Sequence, residues 1–388
     1  MNTSGHREFW LDWLRVAACG MVMIVHSTEP FYLGGDGSQV MSGADAWWVS
    51  IIDSLVRCCV PLFLVASSFL QFPVKYGTGV FFRRRALRIL PPFVLWSVFY
   101  AFWWGEPVQN FKDLLLNFNY AAGHLWFVYM LIGLYLIMPL LSPWAERVGR
   151  KELRGWLILW LFTTLVPLIR SWVSGGSTAM IEGPSGIPQT ALYPLWGEAS
   201  WNAYGLFYYI SGVAGYLLMG LYFRKFGPQW GRGKALLVAL PCFLAGFAIS
   251  AGGFIRRVFE DSAGSFPFNG PLEYAVRWET TWGYDTIGVA LMTIGLILLF
   301  RCITSAGGFY RNVVLPVSKA SYGMYLMHMA FLAAFAGLYR TLLYDPASSC
   351  GWTTPVVILC TAVSSYVASA VVAVLLQRIP KIGKYIVG

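Results

Sequence analysis

The sequence predicts an all-α fold, a polytopic membrane bundle of about ten transmembrane helices with both termini in the cytoplasm. Three observations carry this prediction. Only 12% of the residues are charged, against about 25% in a typical soluble domain, so most of the chain is shielded from water. Apolar stretches near the roughly 20 residues that a helix needs to cross lipid recur ten times. The basic residues gather in alternate loops, the pattern of loops that stay in the cytoplasm.

In chain order, the spans are read at 10–31, 47–71, 86–104, 124–142, 154–173, 204–223, 234–254, 283–300, 314–339 and 353–377. The first is the weakest by hydropathy, because it holds Asp12, Arg15 and His26. It is not read as a cleaved signal peptide: polar residues interrupt its apolar run and no small-residue cleavage site is clear. The second carries Asp53 and Arg57 at i,i+4, a spacing at which they pair with each other. The third opens with FFRRRALRILPP, the fourth with HLWFVYMLIGLYLIMP, and the ninth contains SKASYGMYLMHM. Two outer loops are long, at about 174–203 and 255–282, the first rich in Gly, Pro and Ser. No repeat or low-complexity tract interrupts the chain, so residues 1–388 are read as a single membrane-embedded domain. Aromatic residues make up 17%, with 18 Trp, which suits helices anchored at two interfaces.

The net charge of +10 belongs to this topology. Most of the 28 basic residues fall at the N-terminus, in the C-terminal tail, or in the loops around 75–88, 147–154, 224–234 and 301–319. That placement gives attraction to anionic membrane lipids as a by-product and excludes nucleic acid as a partner. The seven cysteines form no CxxC pair and no readable disulfide framework. No phosphate loop, HExxH helix, GxSxG elbow or four-ligand metal set is present, so no metal is expected.

Chemistry concentrates inside the spans. Arg15 and His26 are eleven positions apart, almost three whole helical turns, so they share a face about 16 Å apart along the axis. An ionisable residue in lipid is costly unless it faces a cavity or a partner; the blander reading is a snorkelling arginine and a packed histidine. Arg85 and Arg88 share a helix face at i,i+3, and guanidinium groups grip phosphate bidentately; an ordinary cytoplasmic basic cluster is the plainer alternative. Ser321, Tyr325 and His328 form a polar stripe on an otherwise apolar helix, a stripe that faces a bundle interior. His124 and Trp126 stand at the outer start of the fourth span. Glu198 and Trp201, among the rings of the outer loops, suit a sugar face and its hydroxyls, although interfacial anchoring explains such rings too.

Together these segments resemble the acyltransferase-3 family of integral membrane O-acyltransferases, and within it the cell-surface polysaccharide O-acetyltransferases. The family's Arg/Lys–x10–His pattern matches Arg15 and His26. Its Arg-x-x-Arg pattern before an aliphatic residue and a proline matches Arg85 and Arg88, followed by Ile89 and Pro91. HLWFVYMLIGLYL resembles the family's HLWF segment, and SYGMYLMH its late YLxH segment at Tyr325 and His328. VPLFLVASSFL resembles its second span, with Ser68 where glycine is usual.

The resemblance implies an acetyltransferase of the bacterial cytoplasmic (inner) membrane. Its donor is acetyl-coenzyme A on the cytoplasmic side, and its acceptor is a hydroxyl of a cell-surface or lipid-linked glycan on the outer side. Arg15, Arg85 and Arg88 are then the donor-binding residues, and His26, His328 and Tyr325 the catalytic ones. His124, Trp126, Glu198 and Trp201 are read as acceptor-binding. The alternative from another class is an exporter or flippase of a glycan or lipid-linked sugar, since polar residues occur inside spans there too.

Overall fold

The structure, a computed structural model, describes residues 7–34, 37–114, 116–118, 122–173, 180–182, 188–190, 196–197, 202–228 and 230–388. Its helices are α1 (Phe9–Thr28), α2 (Gly43–Val56), α3 (Cys59–Gln71), α4 (Thr78–Trp103), α5 (Pro107–Leu114), α6 (Trp126–Arg147), α7 (Arg150–Thr163) and α8 (Val166–Val173), followed by α9 (Ala214–Phe226), α10 (Arg232–Ser262), α11 (Leu272–Trp278), α12 (Ile287–Phe300), α13 (Leu315–Leu343), α14 (Thr353–Gln377) and α15 (Gly383–Val387). A helix satisfies its own backbone polar groups, which is what lipid demands of a spanning segment.

Among the described residues, eight helical segments are long and apolar enough to cross a membrane: Phe9–Phe31, Gly43–Gln71, Thr78–Trp103, Gly123–Arg147, Arg150–Val173, Arg232–Ser262, Tyr310–Leu343 and Ser349–Gln377. The other two expected spans are shorter than the sequence reading placed them. α9 has 13 residues and α12 has 14, or about 20 Å of helix against a hydrocarbon core of roughly 30 Å. Both are largely buried inside the protein, so neither has to match the lipid thickness alone. α10 departs the other way. It runs on to Ser262, eight residues past its expected end, and takes up the start of the second outer loop.

α1 is the least apolar of the eight segments and lies at the centre of the bundle, packed against α2, α3, α13 and α14. Leu11, Leu14, Ala18, Val22 and Val25 face the main core, while Cys19 and Met23 face the two smaller cores toward α13 and α14. A helix enclosed by other helices can carry polar residues that a lipid-facing one cannot. α2 and α3 form one segment broken at Arg57 and Cys58; Ser42 caps α2 by accepting the Asp45 N–H at 3.1 Å. Ser68 of α3 donates to the Leu217 carbonyl of α9 at 2.5 Å and lies against Gly220, where a Cβ would collide with it. The small residue that close helix packing needs therefore stands on α9, which is why serine is accommodated on α3.

A small antiparallel sheet, β1 (Leu33–Gly34), β2 (Gly37–Val40) and β5 (Phe268–Pro271), caps one end of the bundle in the order β1-β2-β5; a separate pair joins β3 (Met180–Glu182) to β4 (Pro188–Thr190). Under the three-stranded sheet lies an aromatic core of Phe31, Tyr32, Phe254, Trp278 and Trp282, with the Phe254 and Trp282 rings stacked at 3.8 Å.

Candidate functional site

A cavity lies between α1, α3, α4, α6 and α13, with about 1170 Å³ of empty space, part of it open to solvent. Arg15, His26, Arg85, Arg88, His124, Trp126 and Tyr325 all line it. Residues from four separate spans thus meet on one surface. Because Arg15 and His26 stand about three turns apart on α1, the cavity extends at least that far along the helix. His328 lies just behind the wall, fully buried, with its ring 5.1 Å from that of His26 and 5.0 Å from that of His124. Glu198 and Trp201 lie outside the described residues.

One end of the cavity is cationic. Among the described residues, no carboxylate lies within ion-pair distance of Arg15, Arg85 or Arg88. The obvious partner of Arg15 is Asp12, one turn earlier, but Asp12 is tied elsewhere. It accepts from Arg7 Nε at 2.6 Å and Nη2 at 2.8 Å, from Tyr310 at 2.6 Å and from Ser318 at 2.6 Å. The bond from Asp12 raises the pKa of Arg7, fixing it as a cation. Arg85 rests over the rings of Phe81 and Tyr135 at 5.7 and 6.0 Å, and its Nε is buried without a hydrogen-bond partner. Arg15 and Arg85 are half-buried and Arg88 is exposed; guanidiniums that share a cavity without a carboxylate in reach repel one another, and an anion relieves them.

The other end carries three imidazoles whose protons can be assigned from their partners. His26 Nδ1 is 2.8 Å from Glu29 Oε1. A carboxylate only accepts, so Nδ1 carries the hydrogen and Nε2 keeps a bare lone pair. His328 Nδ1 donates to the Tyr325 carbonyl at 2.5 Å, which leaves its Nε2 as an acceptor, buried and without a partner. His124 faces the Leu326 carbonyl through Nε2 at 3.4 Å, a weak bond that leaves this N–H largely available. The Tyr325 hydroxyl donates to the His124 carbonyl at 2.5 Å, so its single proton is engaged. Trp126 stacks on Tyr284, with ring centres 5.6 Å apart, and is 37% exposed.

Beside this end, Arg57 has its charge compensated by carboxylates, although its Nε, like that of Arg85, has no hydrogen bond of good geometry. It pairs with Asp53 through Nε, donates to Tyr32 at 3.1 Å, lies 3.5 Å from Glu279, and sits 4.3 Å over the Trp282 ring. The i,i+4 pairing expected for Asp53 and Arg57 is formed. Thr28 donates to Asp53 at 2.5 Å, which ties the end of α1 into the same network. Burial pushes the Tyr32 phenol well above its ordinary pKa, so it keeps the proton that it donates to Glu279 at 2.5 Å.

The sequence reading overlooked Glu29, whose i,i+3 spacing from His26 was visible, and the Asp12–Tyr310 and Asp12–Ser318 bonds, which join residues about 300 positions apart. Among the described residues, no group of three or more His, Cys, Asp or Glu is arranged to hold a metal ion.

Compared with known proteins, residues 8–374 match the acyltransferase-3 family, described as an acyltransferase domain. No curated protein and no solved structure matches the chain. The match spans nearly the whole chain and includes every helix that lines the cavity; the chain belongs to the acyltransferase-3 family and is a multi-pass integral membrane acyltransferase.

Proposed function

We propose that this protein takes an acetyl group from acetyl-coenzyme A at the cytoplasmic face and places it on a hydroxyl of a cell-surface or lipid-linked glycan at the outer face of the bacterial inner membrane. The observation that carries this reading is the pairing, in one cavity, of three guanidiniums with no carboxylate in reach among the described residues and an imidazole backed by a carboxylate. Coenzyme A is a phosphorylated nucleotide on a long thin arm that ends in the thioester. Arg85, Arg88 and Arg15 grip the phosphates, and the arm runs along the Arg15–His26 face. The acetyl group thus crosses while coenzyme A stays on its own side. The placement of the basic loops supports a topology with both termini in the cytoplasm.

His26 acts as general base through Nε2. It takes the proton of the acceptor hydroxyl, whose oxygen attacks the thioester carbonyl carbon. The tetrahedral intermediate collapses with cleavage of the C–S bond, and the departing thiolate recovers the proton from the imidazolium. The products are an acetyl ester and free coenzyme A. His328, buried behind the wall, acts through the two rings that it packs against, holding those of His26 and His124 in place. The His124 N–H is the better placed donor to the developing oxyanion, since the Tyr325 proton is engaged; Tyr325 holds His124 in place. Trp126 offers a ring to the sugar face, and Glu198 and Trp201 are proposed to contact the acceptor from the outer loop.

The test is His26→Ala in inverted membrane vesicles that carry the host's lipid-linked glycans, with radiolabelled acetyl-coenzyme A outside. The expected result is loss of label transfer, by about 10²-fold or more for a general base, with coenzyme A binding retained. A folded variant that acetylates at the normal rate refutes the assignment. Labelled enzyme that accumulates before acceptor is added points instead to an acetyl-imidazole intermediate. Glycan movement without ester formation indicates an exporter.

A further inference from the structure

A general base must be basic enough and correctly turned to act, and the surroundings of His26 supply both. Glu29 lies just past the end of α1, in a 3-10 turn, Glu29–Phe31, whose first carbonyl accepts the Tyr32 N–H at 3.2 Å. Three contacts fix this turn. Thr28, the residue before it, is anchored to Asp53 at 2.5 Å. Pro30 restricts the backbone. Phe31 is buried in the aromatic core, with its ring 5.3 Å from that of Tyr344. The Glu29 carboxylate therefore reaches His26 Nδ1 from a stiff support, at 2.8 Å, with a side chain still 30% exposed.

We propose, resting on the assignment of His26 as base, that Glu29 is the positioning residue of the catalytic imidazole. It holds the proton on Nδ1, turns Nε2 toward the cavity, and balances the positive charge that His26 gains when it takes the acceptor's proton.

The surroundings of His26 leave this task to Glu29. On α2, Asp53 is engaged by Arg57 and Thr28, and Arg57 is engaged by Asp53, Tyr32 and Glu279. On α13 and at the start of α6, His328 and His124 face backbone carbonyls through the nitrogens that hold their protons. Among the described residues, Glu29 is the one carboxylate in hydrogen-bond contact with His26. A carboxylate on the far nitrogen of a catalytic imidazole fixes its tautomer and stabilises the imidazolium; where an amide replaces such a carboxylate in a serine protease, turnover falls by about 10⁴-fold.

The experiment uses the full chain in the same vesicles and compares Glu29→Gln, Glu29→Asp and Glu29→Ala. For Glu29→Gln the expected result is a fall in kcat of about 10²–10⁴-fold, with the donor KM and coenzyme A affinity changed by about twofold or less. Glu29→Asp recovers part of the rate. Added formate recovers part of the rate of Glu29→Ala, because the side chain's partial exposure leaves a path for a small carboxylate. Two results overturn the proposal: Glu29→Gln keeping more than half of the rate, or donor affinity and thermal stability falling in step with kcat. If His26→Ala is inactive while Glu29→Gln is normal, only the role of Glu29 fails. If His26→Ala is active, the base assignment fails first.

Discussion

Arg57 and the Arg15–Arg85–Arg88 group lie in the same bundle and differ in burial and in charge compensation: Arg57 is buried, Arg15 and Arg85 are half-buried and Arg88 is exposed. Arg57 meets two carboxylates, a phenol and an indole face. The group of three meets no carboxylate among the described residues, although Asp12 stands one turn from Arg15. A buried cation with its counter-charges built in is part of the scaffold. Cations that share a cavity without them are arranged for an anion that arrives from outside. Arginine inside a membrane protein is thus not informative by itself; its compensation is.

The largest effect is expected from breaking the compensated site. Arg57→Ala leaves Asp53 buried and unpaired, which costs about 3–5 kcal/mol. Thermal unfolding in detergent should show a large fall in Tm, and a Tm equal to wild type would erase the contrast. Next comes the uncompensated site. Arg85→Ala and Arg88→Ala should each weaken coenzyme A binding by about 10- to 100-fold, the worth of a charge-assisted contact, while Tm stays level or rises as repulsion is relieved. A drop in Tm with normal binding would make these arginines scaffold as well. Third, coenzyme A should stabilise the wild type by about 2.7 kcal/mol at one hundred times its Kd, and by much less in Arg88→Ala at that same concentration. The smallest effect tests the outer end: Trp126→Ala removes the stack on Tyr284, worth about 0.5–1.5 kcal/mol, and should raise the KM for the glycan while sparing that for the donor.

Much of this was visible in the residues. The spacing of Arg15 and His26 placed both on one face of a single helix, and both do line the cavity. The same holds for Arg85 and Arg88 on α4. A spacing argument works there because a helix converts sequence separation into direction. Glu29 was legible as well: its backbone is still helical (φ −50°, ψ −42°), so the i,i+3 spacing from His26 already placed the two side chains together. The lengths of α9 and α12 escaped because hydropathy registers apolar residues, whether protein or lipid surrounds them. Ser68 was legible as a departure, but its remedy, Gly220, stands on another helix.

The sequence by itself determined that the chain lives in a membrane, roughly where it crosses, and which few polar residues pay the cost of being there. Those follow from composition and period, which are properties of neighbouring residues. Only the tertiary structure decided which charges are cancelled and which are left open. Cancellation needs partners such as Glu279 for Arg57 or Tyr310 and Ser318 for Asp12, brought from more than 200 positions away by helix packing, and no local pattern encodes that meeting.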